Sequence, residues 1–381
     1  MELEFQMPQK HLSRPQPTGA TSGFSLIELL VALAISLFLV LGISYVYIGS
    51  KNVYRSEENL ARMQESGRLA FEYLSRDIRQ AGYFGCAALA TAYQVGGSAA
   101  ACDWPGLTVP TTICTLGGTG CATVGASEPI HGYESSGPSG VSPLTGTDTL
   151  ETTSAGNPCE GNGSPHSSVT IDKDPPGGNA ANIGVNLSGT DLTNCIKPGD
   201  ILIATDCKNS VIFQACQVSS SGIVVHDTGN NGGCAGSYGN TCKNWGNNYK
   251  GGSLLKLNRV AYFVKNDPNN SNTPTLFRRN MVTGVEDPLV PYIENFQVMY
   301  AIAPTIDDYP TSYVTASSVT NWNLVKSVRI DLLVRSPDDR ITTDVQKVYF
   351  NGSTITPTDR HLRLVMGTTV SIRNRTLLST K

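Results

Sequence analysis

Apolar and polar positions alternate along this chain in three distinct rhythms. The first is no alternation at all. From Phe24 to Ile48 the sequence "FSLIELLVALAISLFLVLGISYVYI" runs 25 residues with one ionisable side chain, Glu28. That is long enough to cross a bilayer as a helix. The second rhythm follows in "NVYRSEENLARMQESGRLAFEYLSRDIRQAG". Leu60, Met63, Ala70, Leu74, Ile78 and Ala81 recur at spacings near three and four, with Arg, Glu and Gln on the other faces. The spacing predicts that the helix continues to a stop near Gly82. From Phe24 this makes nearly 60 residues, roughly 90 Å at 1.5 Å per residue. The apolar stripe is the face that should pack on a head domain.

The third rhythm has period two. In "VKSVRIDLLV", Val328, Ile330, Leu332 and Val334 fall on one face of a strand, against Arg329, Asp331 and Arg335. In "HLRLVMGTTVSIR", Leu362, Leu364, Met366, Val370 and Ile372 keep one parity. "LLKLNRVAYFVKND", "TLFRRN", "YIENFQVMYAI" and "VQKVYF" complete a predicted antiparallel sheet. A long helix packed on an antiparallel sheet is an α+β head. Between about residues 87 and 250 regularity gives way to Gly, Ser, Thr and Asn, punctuated by short strand predictions in "DILIAT" and "SVIFQACQVSSSGIVVHD".

Composition changes this picture in two ways. Charged residues are only 15% and the net charge is −3, so no basic surface argues for nucleic acid, whose phosphates need clustered Lys and Arg. The ten cysteines are Cys86, Cys102, Cys114, Cys121, Cys159, Cys195, Cys207, Cys216, Cys234 and Cys242. Their number is even, no C-x-x-C occurs and no His stands at ligand spacing. This predicts a disulfide framework in an oxidising compartment rather than a metal site. A region with few long apolar runs needs such staples, each worth about 2–4 kcal/mol. Ten cysteines allow about 945 complete pairings. Short loop closure favours Cys114–Cys121, Cys207–Cys216 and Cys234–Cys242.

The position of Glu28 is the sharpest chemical clue. A lone carboxylate in a membrane helix costs roughly 2.5–3.5 kcal/mol and asks for a partner. No basic residue occurs between Gly23 and Lys51. The small-residue pair Ser22-Gly23 precedes the apolar run, whereas a secretory cleavage site follows it. Cutting after Gly23 would leave the hydrophobic helix on the mature chain. It would also create an α-ammonium on Phe24, one helical turn from Glu28.

The stretch "GFSLIELLVALAIS" resembles the type IV prepilin signature. The resemblance implies cleavage between Gly23 and Phe24 by a prepilin peptidase, N-methylation of Phe24, and pairing of Glu28 with the N-terminus of an adjacent subunit during assembly. "RLAFEYLSRDIRQAGYFGC", "NWNLVKSVRIDLLVRSPDD" and "HLRLVMGTTVSIRNR" are similar to the minor pilin family PilW. The expected organisation is a leader over 1–23, a membrane and filament-core helix over 24–50, and its amphipathic continuation over 51–83. A cysteine-rich insertion over 84–250 and a β-sheet region over 251–381 follow. A start at Met7 would remove Glu2 and Glu4 and leave a short basic leader with Lys10 and Arg14. Lys51, Arg55 and Arg62 follow the helix, so Lys and Arg counts give no support to a cytoplasmic N-terminus; the disulfides and the resemblance set the orientation instead.

The resemblance implies a minor pilin that helps initiate pilus assembly. It would be held in the inner membrane with a periplasmic head, then placed at the pilus tip. Its partners would be other minor pilins, the major pilin and a large tip adhesin. The alternatives are a J-type minor pseudopilin of a type II secretion system and an adhesin or binding module on a pilin stem. No G-x-S-x-G, H-E-x-x-H or P-loop motif occurs and the five histidines are scattered, so neither an enzyme nor a cofactor is expected. "DPNNSNTPTLFR" lacks the glycine and acid of a calcium loop and reads as a turn between strands. Glu57-Glu58 and Asp338-Asp339 read as solvated surface. Tyr83, Trp104, Trp245 and Trp322 could line a binding patch, but burial is the commoner fate of such aromatics.

Overall fold

The computed structural model describes residues 23–85, 112–114, 121–123, 128–159, 169–173, 181–186, 191–207, 210–227, 248–305 and 308–375. The leader up to Ser22 lies outside the described residues, as do Cys86, Cys102, Cys234, Cys242, Trp104 and Trp245. The chain divides into two compact units, Met1–Ser56 and Glu57–Lys381.

Helix α1 (Leu26–Gln80) is continuous over 55 residues. No proline interrupts it, and Leu, a good helix former, is its commonest residue. From Leu26 to Arg55 its side chains are exposed, and it includes a stretch long and apolar enough to cross a membrane. In the second unit it buries Asn59, Met63, Gly67, Ala70, Leu74 and Ile78. Successive members of that stripe are three or four residues apart, the spacing that keeps one helix face toward a partner. Leu60 was expected in the stripe but is exposed; Asn59 and Gly67 take the buried places. Past Gln80 the chain turns at Gly82, whose φ of 75° suits a residue without Cβ. Its N–H donates to the Thr153 carbonyl at 2.9 Å.

The strands run β1 (Thr112–Cys114), β2 (Cys121–Thr123), β3 (Ile130–Tyr133), β4 (Thr149–Gly156), β5 (Val169–Lys173) and β6 (Asn182–Asn186). Helix α2 (Leu192–Cys195) precedes β7 (Ile201–Thr205), β8 (Ser210–Gln214), β9 (Gln217–Val218) and β10 (Ile223–Val225). Then come β11 (Ser253–Asp267), β12 (Thr273–Asn280), β13 (Glu286–Pro291), β14 (Ile293–Ile302) and β15 (Ser312–Val314). The last are β16 (Val325–Arg335), β17 (Val348–Phe350), β18 (Ser353–Ile355) and β19 (Arg363–Ser371).

Every pairing among them is antiparallel. β14, β15, β16 and β19 form a four-stranded sheet in the order β15-β14-β16-β19. Val328, Ile330, Leu332 and Val334 are fully buried as the alternation predicts, and they share a core with Met63, Ala70, Leu74 and Ile78 of α1. β11 is the hub of a second, eleven-stranded sheet. It pairs with β12 through Val260–Asp267, with β4 through Lys256–Tyr262 and with β7 through Ser253–Lys256. Strands from the cysteine-rich stretch and from the C-terminal stretch therefore hydrogen-bond in one sheet.

A single sheet was expected after residue 251; among the described residues β11–β13 belong to the eleven-stranded sheet, β14–β16 and β19 to the four-stranded one, and β17, from the expected strand "VQKVYF", pairs only with β18 in a separate hairpin. The break falls at Tyr292, between β13 and β14, which has a φ of 69°. Its carbonyl accepts the Arg335 N–H at 3.0 Å. Alternation assigns each side chain a face but does not say which strand lies along each edge. "DPNNSNTPTLFR" opens as the turn between β11 and β12, with the Asp267 carboxylate accepting the Asn269 N–H at 2.9 Å, and continues as β12 from Thr273.

A disulfide joins Cys159, beyond β4, to Cys195 in α2. It sits in a core of its own with Val169, Ile171, Ile183, Phe213 and Tyr249. Short loop closure does not lead to this pairing, whose partners are 36 residues apart. Cys207 and Cys216 are each in a disulfide as well. The β1–β2 backbone sets Cys114 opposite Cys121.

Candidate functional site

The residues singled out by the sequence sit at the first turn of α1. Gly23 and Phe24 precede the helix and are exposed, Phe24 at 89%. Glu28 Oε2 accepts the Ser25 backbone N–H at 3.1 Å, while the Ser25 carbonyl accepts the Leu29 N–H at 3.2 Å. Ser25 is thus the N-terminal cap and Glu28 the third helical residue, the side-chain-to-backbone half of a capping box. The carboxylate also lies at the positive end of the helix dipole. Its nearest partner is the start of its own helix. The S-x-x-E spacing of Ser25 and Glu28 was the signal for this role, and the reading of the sequence passed over it.

In the second unit, side chains fix α1 to the sheets. Asn59 Nδ2 donates to Asp338 Oδ2 at 3.3 Å and Asn59 Oδ1 accepts the Asp338 N–H at 3.1 Å. Asp338, expected as solvated surface, is therefore half of a helix-to-head clasp. Farther along, Gly67 lies against Met366, where a Cβ would come within 2.2 Å of the sulfur. Near the helix end, the buried Tyr262 hydroxyl donates to Asp77 Oδ2 at 2.6 Å. Burial, and then the Asp77 charge, push the Tyr262 hydroxyl well above its ordinary pKa. It stays a donor at every physiological pH.

The head's other polar clusters are structural in geometry. Asp339, Asp359 and His361 bring ligand atoms within 4.8 Å of one another. The Asp359 carboxylate is already spent on Arg363, at 2.7 and 2.9 Å. That bond holds Asp359 down to about 2. His361 Nδ1 faces the Ser336 carbonyl at 2.8 Å, and Ser336 Oγ donates to the Asp338 carbonyl at 2.7 Å. Ser336 Oγ also lies 3.4 Å from His361 Nδ1, but its shorter bond, to the Asp338 carbonyl, and that of the imidazole, to the Ser336 carbonyl, point to a structural cluster rather than an activated nucleophile. Arg363 is 1% exposed and also forks onto Glu294 at 2.7 and 2.8 Å. Burial disfavours its charge, but the two carboxylates outweigh that and raise its pKa.

A second polar knot ties β3 and β4 to β14. Asp148 accepts the Val298 and Ser135 N–H groups at 3.0 and 3.1 Å. Burial nevertheless lifts its carboxyl to about 6. Among the described residues the Tyr300 hydroxyl and Glu134 Oε2 are buried there without a hydrogen-bond partner. Trp322 packs edge-on against Tyr300 at 4.8 Å and beside His131 at 4.4 Å. It is a core residue, not part of a binding patch.

Comparison with known proteins matches both ends of the chain. Residues 20–44, which include Gly23, Phe24 and Glu28, match the prokaryotic N-terminal methylation motif. Residues 261–374, from within β11 past the end of β19, match the family described as type IV pilus-assembly protein W, PilW. Among solved structures a type IV-like pilin from Thermus thermophilus is similar at 15% identity, over 46% of this chain and 84% of that one, with a TM-score of 0.19. No curated protein matches the chain.

Proposed function

We propose that this chain, a type IV pilin-like protein by its methylation motif and its PilW-matching head, is a minor pilin that helps initiate pilus assembly at the tip. The observation that carries the reading is one helix doing two jobs. From Leu26 to Ile48 it is apolar and exposed, apart from a carboxylate at the very start. Its second unit is welded into a large β head. A prepilin peptidase cut after Gly23 would free the Phe24 α-ammonium, later methylated, beside Glu28. In the unassembled helix the Glu28 carboxylate is satisfied by the Ser25 N–H. On assembly it is available to the ammonium of an adjacent subunit, a charge pair that strengthens in a low-dielectric filament core. Before assembly the helix holds the chain in the inner membrane with its head in the periplasm, where the disulfides form.

A head that carries an eleven-stranded and a four-stranded sheet is bulky for a repeating position in a thin shaft, which favours the tip. Other minor pilins, the major pilin and a large tip adhesin are the partners this position implies. Deleting the gene and quantifying sheared surface pili, beside a complemented strain, tests the reading. Loss of pili supports a role in initiation. Normal piliation with defective protein secretion would instead identify a secretion pseudopilin.

A further inference from the structure

β19 ends the four-stranded sheet, and among the described residues no strand pairs with its outer edge. The register says which of its backbone groups face outward. The Arg335 N–H donates to Tyr292, on the β14 side, so its opposite number Arg363 turns its own N–H and carbonyl away from β16. Every second residue after Arg363 does the same: Val365, Gly367, Thr369 and Ser371. All four are exposed. Arg363 is capped by the Gln346 side chain, which accepts its N–H at 2.7 Å and donates to its carbonyl at 3.0 Å. Gln346 thereby does for Arg363 what a neighbouring strand would do for the next four residues.

Close to the far end of this edge lies an open groove of about 560 Å³, lined by Arg68, Phe71, Arg76, Arg79, Gln80 and Arg373, together with Glu72 and Ser75. Four arginines to one glutamate make it basic in a chain whose net charge is −3. Arg373 stands two residues beyond β19, so the basic groove and the open edge adjoin.

We propose that β19 accepts an extended, acidic segment of a neighbouring protein subunit, added as a further strand, with its carboxylates directed to the arginine groove. The row of alternating N–H and C=O groups calls for another polypeptide backbone, since nucleic acid offers no matching alternation of donors and acceptors. The arginines call for acidic side chains on that backbone. The edge and groove stand independently of the pilin reading; only the identification of the donor as a fellow pilus subunit rests on it.

The test uses the full chain in non-ionic detergent and a fluorescein-labelled nine-residue peptide of alternating Thr and Glu. Saturable binding is expected, with slowed amide exchange at Val365, Gly367, Thr369 and Ser371. Thr369→Pro removes one outward donor and leaves the bonds to β16, and should weaken binding at least tenfold. The double variant Arg68→Glu, Arg79→Glu changes only the groove side and should do the same, even if the proline variant folds poorly. The proposal is overturned by absence of saturable binding, by equal binding of a Thr–Lys peptide, or by affinity indifferent to both variants. Preference for a single-stranded oligonucleotide, or dimerisation of the chain through this edge, would also overturn it. Piliation of the deletion strain is a separate readout, so failure here and failure of the pilin reading are told apart.

Discussion

At the level of single residues, small groups placed without slack decide most. Gly132 in β3 faces Tyr300, and a Cβ there would come within 2.0 Å of the buried hydroxyl. The ring is boxed in by Trp322 and the sheet, so Gly132→Ala should cost about 1–3 kcal/mol through overpacking. Chemical denaturation of the detergent-solubilised chain measures it. Two carboxyls give opposite pH signatures. Asp359, held down to about 2 by Arg363, contributes stability above its unfolded pKa that is lost as pH falls through the folded value. Asp148, lifted to about 6 by burial, binds its proton more tightly folded than unfolded. Its contribution is fullest below pH ~4 and declines as pH rises to about 6. Melting temperatures across this range should show that decline in the wild type and a reduced one in Asp148→Asn; an unchanged slope would refute the assignment. Glu28→Ala is expected to leave cleavage after Gly23 largely intact while sharply reducing surface pili. Normal pili would refute the charge-pair account, and Gly23→Val should leave the leader attached.

The decisive element is α1. Its second unit has a buried face stepping by three and four residues, and that face was legible in the sequence from Met63, Ala70, Leu74 and Ile78. Two members were not legible. Asn59 is polar and Gly67 is a poor helix former, so hydrophobic periodicity skips both. Asn59 is buried because Asp338, distant in sequence, satisfies its amide; Gly67 is buried because Met366 needs its space. Leu74→Ala in this stripe should destabilise the head by about 2–5 kcal/mol, read by the same denaturation experiment. β16 shows the opposite case. Its alternating Val, Ile and Leu predicted the buried face correctly, yet Leu333 on the other face is buried as well, against Val348 and Phe350. A strand covered on both sides loses its clean alternation.

For the molecule as a whole, one disulfide tests how the cysteine-rich stretch is held. Cys159–Cys195 ties α2 to the end of β4 inside a separate apolar core, and replacing both cysteines by serine should cost about 2–4 kcal/mol. A lower melting temperature, with retained protection of the β14–β16–β19 amides, would show that this core yields first. By itself the sequence determined the local matters. It specified a membrane-length helix with one acid at its start, an amphipathic continuation, the strand faces of the C-terminal region and cysteines that form disulfides. Each follows from chemistry within a few residues of itself: periodicity, an S-x-x-E or Gly signal, a count of thiols. The tertiary structure alone decided which strands share a sheet, where the chain passes between sheets at Tyr292, that Cys159 meets Cys195, and that β19 is left as an edge. Those outcomes depend on partners tens to hundreds of residues apart, and side-chain period carries no information about who lies along a strand's hydrogen-bonding edge.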